Sequence, residues 1–257
     1  MASLFISHGA PTLAIDDSPA AAFLRRLGAQ FPRPEAVVVA SAHWTESAPV
    51  VTEADRPGTI HDFHGFPREL HEIEYPAPGA PVIAGRVRDL LVVAGFDCSA
   101  DAGRGLDHGA WVPLSLMYPE ADVPVLQVAI QPHEGPSHHH RLGRALQPLL
   151  DDGVLVVGSG SLTHNLREMR FDDEGAEPPA WTVAFRDWMA ERLADGDTQA
   201  LLDYRAQAPH AARNHPTEEH LLPLFVALGA APDRARGTNL HGSYSYGVLA
   251  MDVWRFG

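Results

Sequence analysis

The sequence predicts one α/β domain over residues 1–257, a sandwich with a central, mostly parallel or mixed sheet flanked by helices. Short apolar runs alternate with helical patterns along the chain, which is the order typical of α/β domains. The runs are almost continuously apolar, as expected of strands covered on both faces. No internal repeat and no long Gly/Ser linker divides the 257 residues, a length that one α/β domain can hold.

The individual elements follow from local patterns. β-branched runs bounded by turn residues predict strands at residues 4–7, 36–41, 123–130 and 153–158. Helical periodicity predicts helices at residues 20–30, 80–94, 138–150, 181–194 and 217–228. For the last helix, Pro216 precedes Thr217, and Glu218 and Glu219 place negative charge in the first turn. Residues 53–81, rich in Pro, Gly and aromatics, read as a long irregular loop of the kind that often covers a functional site.

Composition excludes several classes of function. The net charge of −14, without any Lys/Arg cluster, argues against nucleic acid and anionic membrane surfaces as partners. The apolar run near the start is too short for a signal peptide or a spanning helix, so we expect a cytoplasmic protein. A single cysteine, Cys98, excludes an internal disulfide and a multi-cysteine metal site. It is most simply a small buried apolar residue.

Histidine placement is the most informative feature of the sequence. Of the 15 histidines, His8, His43 and His164 each follow a predicted strand, and His108 lies in the segment LDHGAW. Ligands of α/β proteins gather outside the carboxyl ends of the strands. Distant histidines can therefore converge at one edge of the sheet, where imidazoles suit zinc, Fe(II) or another divalent metal.

Each histidine also has an ordinary structural interpretation. A lone strand-end histidine is often a turn residue, and His220, on the predicted last helix, could be a partly buried residue beside helix-start charges. The consecutive histidines at 138–140 point in different directions on a helix and are interpreted as a solvated helix start. Residues 158–161 (GSGS) lack the lysine of a phosphate-binding loop, and no Gly-x-Ser-x-Gly elbow is present. Surface positions are expected for His133, His210 and His241.

Seven segments in order resemble one known family along essentially the whole chain. The chain resembles the 4,5-DOPA extradiol dioxygenase-like family, which belongs to the class III extradiol dioxygenases. The segments are SHGAP (7–11), RPEAVVVASAHW (33–44), TIHDFHGFP (59–67), YPAPGAP (75–81), GLDHGAWVPL (105–114), GSGSLTHNLR (158–167) and PTEEHLLPLFVALGA (216–230).

The resemblance implies one divalent metal, Fe(II) or Zn(II), in contact with His8 and His43. Two further site positions match His164 and His220. Better-studied relatives hold Fe(II) with two histidines and one glutamate, whereas this chain has His220 with Glu219 beside it, so the third ligand stays open between the two. A set of imidazoles without a carboxylate would suit zinc at least as well as iron.

The resemblance also implies a small aromatic diol and O2 as substrates. His108 matches a position near the substrate and, with His164, is a candidate acid/base. His61, Trp44 and Trp111 are expected to contact the substrate ring, and Phe63 and Phe66 could also wall it, although core packing is the ordinary interpretation of each aromatic residue. Two other functions remain open at this stage: a zinc hydrolase with Glu219 as general base, and a non-catalytic protein with a closed structural zinc site. Oxygen consumption separates the first from a dioxygenase, and an exchangeable coordination position separates the second.

Overall fold

An eight-stranded mixed sheet with helices on both faces organises the molecule, and the computed structural model describes residues 1–257. Across the sheet the strands follow the order β4-β3-β5-β2-β6-β1-β10-β7, and β8 and β9 form a separate hairpin. The strands are β1 (Ser3–Ser7), β2 (Val37–Thr45), β3 (Val50–Thr52), β4 (Ser99–Asp101), β5 (Val125–Ile130), β6 (Leu155–Gly160), β7 (Gly237–His241), β8 (Tyr244–Ser245), β9 (Leu249–Ala250) and β10 (Val253–Phe256).

Ten α-helices and several short 3-10 turns surround the sheet. They are α1 (Pro19–Leu27), α2 (Pro81–Val93), α3 (His108–Met117), α4 (Gly135–Leu146), α5 (Pro148–Asp151), α6 (Ala180–Asp195), α7 (Thr198–Leu202), α8 (Tyr204–Gln207), α9 (Ala211–Asn214) and α10 (Leu222–Ala230). None of these helices has the length and apolar character that crossing a bilayer requires.

The centre of the sheet is parallel, and an antiparallel pair joins it to the outer strands on each side, β3 with β5 and β10 with β1. Strands β5, β2, β6 and β1 pair in parallel, whereas β10 pairs antiparallel with β1 and β7. Alternate residues of each central strand enter different cores: Phe5 packs with α4, α6 and α10, and Leu4 and Ile6 pack with α1 and α3. The carboxyl ends of β1, β2 and β6 consequently meet at one edge, where the site lies.

The predicted fold class is confirmed, and the four predicted strands are present. Residues 53–80 are irregular as predicted, apart from a 3-10 turn at Arg68–His71. The predicted last helix is wrong at its start, because α10 begins only at Leu222. Pro223 lies in its first turn, where a missing N–H is tolerated; in a helix from Thr217 it would break an interior hydrogen bond.

Two further expectations are corrected by the structure. The helix predicted over 138–150 is two helices, since Pro148 begins α5. The expected solvated helix start at 138–140 is wrong for His139, which is fully buried. Its Nδ1–H donates to the Gly135 carbonyl at 2.7 Å, and its Nε2 accepts from the Gln131 N–H at 3.1 Å. This side chain therefore fastens the start of α4 to the end of β5.

Candidate active site

Five histidines meet at the carboxyl edge of the central strands. His8 directly follows β1, and His43 lies near the end of β2, where the pairing with β5 shifts register between Ala40 and Thr45. His164 lies in the loop after β6, His108 is the first residue of α3, and His220 lies in the turn before α10. The convergence predicted from the strand-end histidines is therefore present, and it includes the two histidines that do not follow strands.

The proton of His8 is fixed by a buried serine. Ser159 Oγ donates its only proton to the Gly109 carbonyl at 2.5 Å and lies 3.0 Å from His8 Nδ1. The hydroxyl must therefore accept from His8 Nδ1–H, because its own proton is used. His8 Nε2 is left with a free lone pair, 3.0 Å from Nε2 of His43.

A carboxylate lies near Nδ1 of His43, His108 and His220, as the Ser159 hydroxyl lies near Nδ1 of His8. Asp62 lies 3.0 Å from Nδ1 of His108 and 3.5 Å from Nδ1 of His43, and Glu219 Oε1 lies 2.9 Å from Nδ1 of His220. The Asp62–His108 contact departs from ideal hydrogen-bond geometry, but Asp62 also accepts from the His108 backbone N–H at 2.9 Å. A carboxylate behind Nδ1 is the usual support of a metal-binding imidazole, because it directs Nε2 forward.

Ring spacing distinguishes which imidazoles could share one ion. A metal about 2.1 Å from a ring nitrogen is about 3.2 Å from the ring centre, so ligand rings at 90–120° have centres about 4.6–5.6 Å apart. The His8–His43, His43–His220 and His8–His220 centres are 4.9, 5.0 and 5.6 Å apart. The His43 and His108 centres are only 3.8 Å apart, which is below the spacing of two ligand rings at 90°, although nitrogens of His8, His43 and His108 lie within 4.8 Å of one another.

The His164 ring stacks on the His220 ring, so the two rings do not point toward a common metal position. The two ring centres are 3.4 Å apart and the planes differ by 10°. A metal lies in the plane of an imidazole that binds it, and two nearly parallel planes this far apart share no such position. One ion can therefore take only one of these two rings.

A cavity of ≈ 220 Å³ opens over the five histidines. The histidines form its polar floor, and the remaining walls are mainly apolar. The other lining residues are Gly9, Ala10, Pro11, Phe63, Phe66, Ser161, Leu166, Met169, Phe171, Tyr246 and Leu249. The site therefore combines a polar, metal-competent end with an apolar space the size of a small molecule.

Comparison with known proteins identifies this arrangement. The family model described as the catalytic LigB subunit of aromatic ring-opening dioxygenase matches residues 2–253. The chain belongs to the LigB family. A Beta vulgaris protein named 4,5-DOPA dioxygenase extradiol is 43% identical over 99% of this chain and 96% of its own length. An Escherichia coli K12 protein of the same name is 37% identical over 90% of this chain and 85% of its own length.

A solved structure agrees with these LigB relatives. The crystal structure of an uncharacterized protein from Escherichia coli K12 superposes with a TM-score of 0.83 at 32% identity, covering 100% of both chains. The predictions of an oxidoreductase and of extradiol ring cleavage are confirmed by the family and its relatives. The hydrolase alternative is not favoured, and the metal dependence of the LigB family agrees with the histidine cluster.

Burial favours the neutral form of the imidazoles of His8, His43, His164 and His220. It lowers the pKa of His8 and His220 well below the usual value, with neighbouring histidines adding to the effect, and lowers those of His43 and His164 to about 4. Burial alone would raise the pKa of Asp62, but the His108 hydrogen bond and charge lower it to about 2. Neutral imidazoles with an ionised carboxylate behind them are in the state that binds metals and accepts protons.

The three residues expected to contact the substrate ring lie outside the cavity. Trp44 is buried, with its Nε1–H donating to Glu46 at 3.2 Å, and Trp111 is buried with its Nε1–H on the Ile60 carbonyl at 3.0 Å. His61 Nε2 lies 3.0 Å from the Ile73 carbonyl, behind Phe63. The His61 and Trp111 rings pack against Phe63, with centres 5.8 and 6.4 Å away, and the Trp44 ring lies 4.9 Å from the Arg104 guanidinium. Of the five aromatic residues expected around the substrate ring, only Phe63 and Phe66 line the cavity.

The supporting residues were not found from the sequence. Asp107 is fully buried, and its carboxylate accepts from Ser41 Oγ at 2.6 Å, Gln127 Nε2 at 2.7 Å and Arg104 at 3.3 Å. The same Ser41 hydroxyl accepts from the His43 backbone N–H at 3.2 Å. Only Asp107 left a visible signal, as an Asp directly before the helix that begins at His108. Ser159 and Asp62 act across 151 and 46 residues, which no local pattern reveals.

Proposed function

We propose that this chain opens the ring of a catechol with O2 at one Fe(II) ion held by His8, His43 and His220, with His108 and His164 moving protons. The observation that carries the ligand set is the spacing of its three rings, in which every pair fits one shared ion. His164 is not a metal ligand in this assignment, because its ring is stacked on that of His220.

The donor atoms suit a divalent first-row metal. The His8 tautomer points a lone pair toward Nε2 of His43, and Glu219 supports His220 from behind instead of occupying a ligand position. Three imidazoles suit Fe(II) and zinc alike, but zinc has no redox chemistry, so ring opening with O2 favours Fe(II). When bound, the metal supplies positions for the diol and O2 and lowers the pKa of the bound hydroxyls.

His108 is placed to hold a proton from the diol. Asp62 stands behind its Nδ1, so the tautomer with a free Nε2 is favoured and the imidazolium is stabilised once formed. The His164 ring makes no hydrogen bond within the protein and lines the cavity. It is therefore free to exchange a second proton with the substrate.

The cavity walls fit an aromatic ring. Phe63 and Phe66 meet edge to face with centres 5.5 Å apart and form an apolar side above the histidines. The relatives named 4,5-DOPA dioxygenase extradiol act, by that name, on a catechol. We propose that the substrate of this chain also contains a catechol ring. A diol on the histidine floor places the ring between these walls.

Oxygen uptake tests the function. Metal-stripped protein is reloaded anaerobically with Fe(II) or zinc, offered a panel of catechols that includes DOPA, and followed by an oxygen electrode and by absorbance of the ring-opened product. We expect uptake with Fe(II) only. Absence of uptake with every catechol under both metals would contradict the proposal.

Metal content separates the ligands from the proton carriers. His220→Gln should lose tight metal binding and activity together. His164→Gln should keep one metal per chain while kcat falls about 10²- to 10⁴-fold, the usual contribution of acid–base catalysis. Loss of metal from His164→Gln, with retention in His220→Gln, would reverse the assignment.

A further inference from the structure

The lining of the cavity contains no Asp, Glu, Lys or Arg side chain. Its polar groups are the floor histidines, Ser161 and the hydroxyl of Tyr246, and every other contact comes from apolar side chains or small residues. A substrate bound with its diol on the histidines would direct any ring substituent toward the apolar walls, where a charged group would find no counter-ion.

Charged side chains near the floor are already engaged. Asp62 contacts both the ring and the backbone N–H of His108, and Glu219 accepts from His220 and from Thr217 Oγ1. Neither carboxylate lines the cavity. An ammonium group on the substrate would therefore have to displace the proton-holding contacts of the site itself.

The charged side chains beside the mouth do not line the cavity. Glu168 pairs with Arg213 at 2.9 Å, and Arg170 lies 3.6 Å from Asp173. Arg167 is exposed and does not line the cavity. The net charge of −14 adds a long-range repulsion for anions.

Exposed apolar side chains surround the same mouth. Leu166 is 51% exposed and Phe171 is 70% exposed, although both line the cavity. Tyr246 joins them from the β8–β9 hairpin with φ +52°, a left-handed conformation that few non-glycine residues adopt. Two main-chain hydrogen bonds hold it, from Arg170 N–H to its carbonyl at 3.1 Å and from its N–H to the Glu174 carbonyl at 2.8 Å.

We propose that the preferred substrate is a catechol whose ring substituent is uncharged and apolar, and that Leu166, Met169, Phe171 and Tyr246 bind this substituent. The inference rests on the proposed function for the position of the diol. An apolar tail would cover the exposed wall at the mouth, and each buried methylene should improve binding about fourfold. A carboxylate or an ammonium in the same place would lose water without gaining a partner.

A series of isosteric catechols tests the preference. All carry the tail para to one hydroxyl: the isopentyl derivative, the propionamide, the propionate and DOPA. With the Fe(II)-loaded enzyme, kcat/KM should be highest for the isopentyl compound and at least about 30-fold lower for the propionate and for DOPA. A propionate or DOPA that equals or exceeds the isopentyl compound would overturn the proposal.

Binding to the zinc-loaded protein gives a readout without turnover. Calorimetric titration with the same four compounds should give the same order of affinity. If no catechol is oxidised but this order holds, the proposed reaction fails and the tail preference stands. If the enzyme turns over catechols but both measurements favour the charged tails, the reaction stands and the tail preference fails.

A charge added to the wall should change the order. Leu166→Arg should raise the kcat/KM of the propionate relative to the isopentyl compound about 3- to 5-fold, the effect of a partly exposed ion pair. Val93→Arg is the matched control, since Val93 is 87% exposed on α2 and does not line the cavity. An unchanged ratio in Leu166→Arg, or the same change in both variants, would show that the wall does not contact the tail.

Discussion

Replacing Ser159 with alanine should weaken metal binding through the proton on His8. The hydroxyl is the acceptor for His8 Nδ1–H and the donor to the Gly109 carbonyl, so Ser159→Ala leaves two buried polar groups without partners. Without this acceptor, nothing favours the tautomer that keeps Nε2 free. Loss of such support usually lowers metal affinity 10- to 100-fold, which is about 1.4–2.7 kcal/mol.

The same substitution should destabilise the metal-free protein. Two buried groups that lose their partners cost about 2–4 kcal/mol together. Ser3→Ala is the matched control: Ser3 is also fully buried on the central sheet and donates to the Ala227 carbonyl at 2.7 Å, but it contacts no histidine. Its loss should cost about 1–2 kcal/mol of stability and leave metal affinity unchanged.

Chelator competition gives the metal affinity, and urea unfolding of the metal-free protein gives the stability. The two quantities must be measured on both variants, because a general loss of stability can also weaken a metal site. Equal metal affinity in Ser159→Ala and Ser3→Ala would refute the tautomer argument, whatever their stabilities.

Three other predictions follow from neighbouring contacts. Asp62→Asn should keep the metal but lower kcat about 10²- to 10⁴-fold, because an amide no longer favours the proton-accepting tautomer; unchanged kcat would exclude a carboxylate role. Burial lowers the pKa of His139 from 6.5 to about 4, so the unfolded chain binds more protons between these values and stability falls by about 3 kcal/mol as pH drops through that window. His139→Phe should remove this part of the pH slope of urea unfolding, and exposed His133→Phe should not. Gly109→Ala places a methyl group 2.4 Å from a serine hydroxyl and 3.1 Å from a site imidazole, so metal affinity should fall, whereas Gly85→Ala, with nothing within 4 Å, should be neutral or stabilising.

The central strands were predictable because they are buried on both faces. Residues 154–157 at the start of β6, for example, are all buried, and the sequence there (VLVV) is a continuous apolar run. The edge strand β7 (Gly237–His241) was missed, since its burial is only partial and it has no apolar alternation. The start of α10 was misplaced because the acidic pair at 218–219 imitates a helix start, although Pro223 sets the limit.

The convergence of the histidines was also predictable, but the sequence did not show which of them could be metal ligands and which could carry protons. Strand ends place His8 and His43 together through topology alone. The stacking of His164 on His220 depends on how the loop after β6 and the turn before α10 pack together, and no local pattern encodes it. Trp44 and Trp111 were expected at the substrate because they neighbour site histidines in sequence. Adjacent side chains of a strand, however, point to opposite faces, which turns Trp44 away from His43. Trp111 follows His108 by one helical turn, and its buried indole donates to the Ile60 carbonyl.

The polarity of the cavity argues for one orientation of the substrate. Asp62 and Glu219 stand one contact behind the histidine floor, so the negative charge that balances a bound divalent metal lies on the side away from the substrate. In the proposed ligand set the three imidazoles would be neutral, so an ionised diol would meet the part of the metal's positive charge that faces the cavity. The opposite end offers only apolar groups, and a diol turned toward Phe171 would lose its hydration with no charge to replace it. The floor therefore selects the diol and the mouth selects the tail, two properties that substitutions at His220 and Leu166 should change independently.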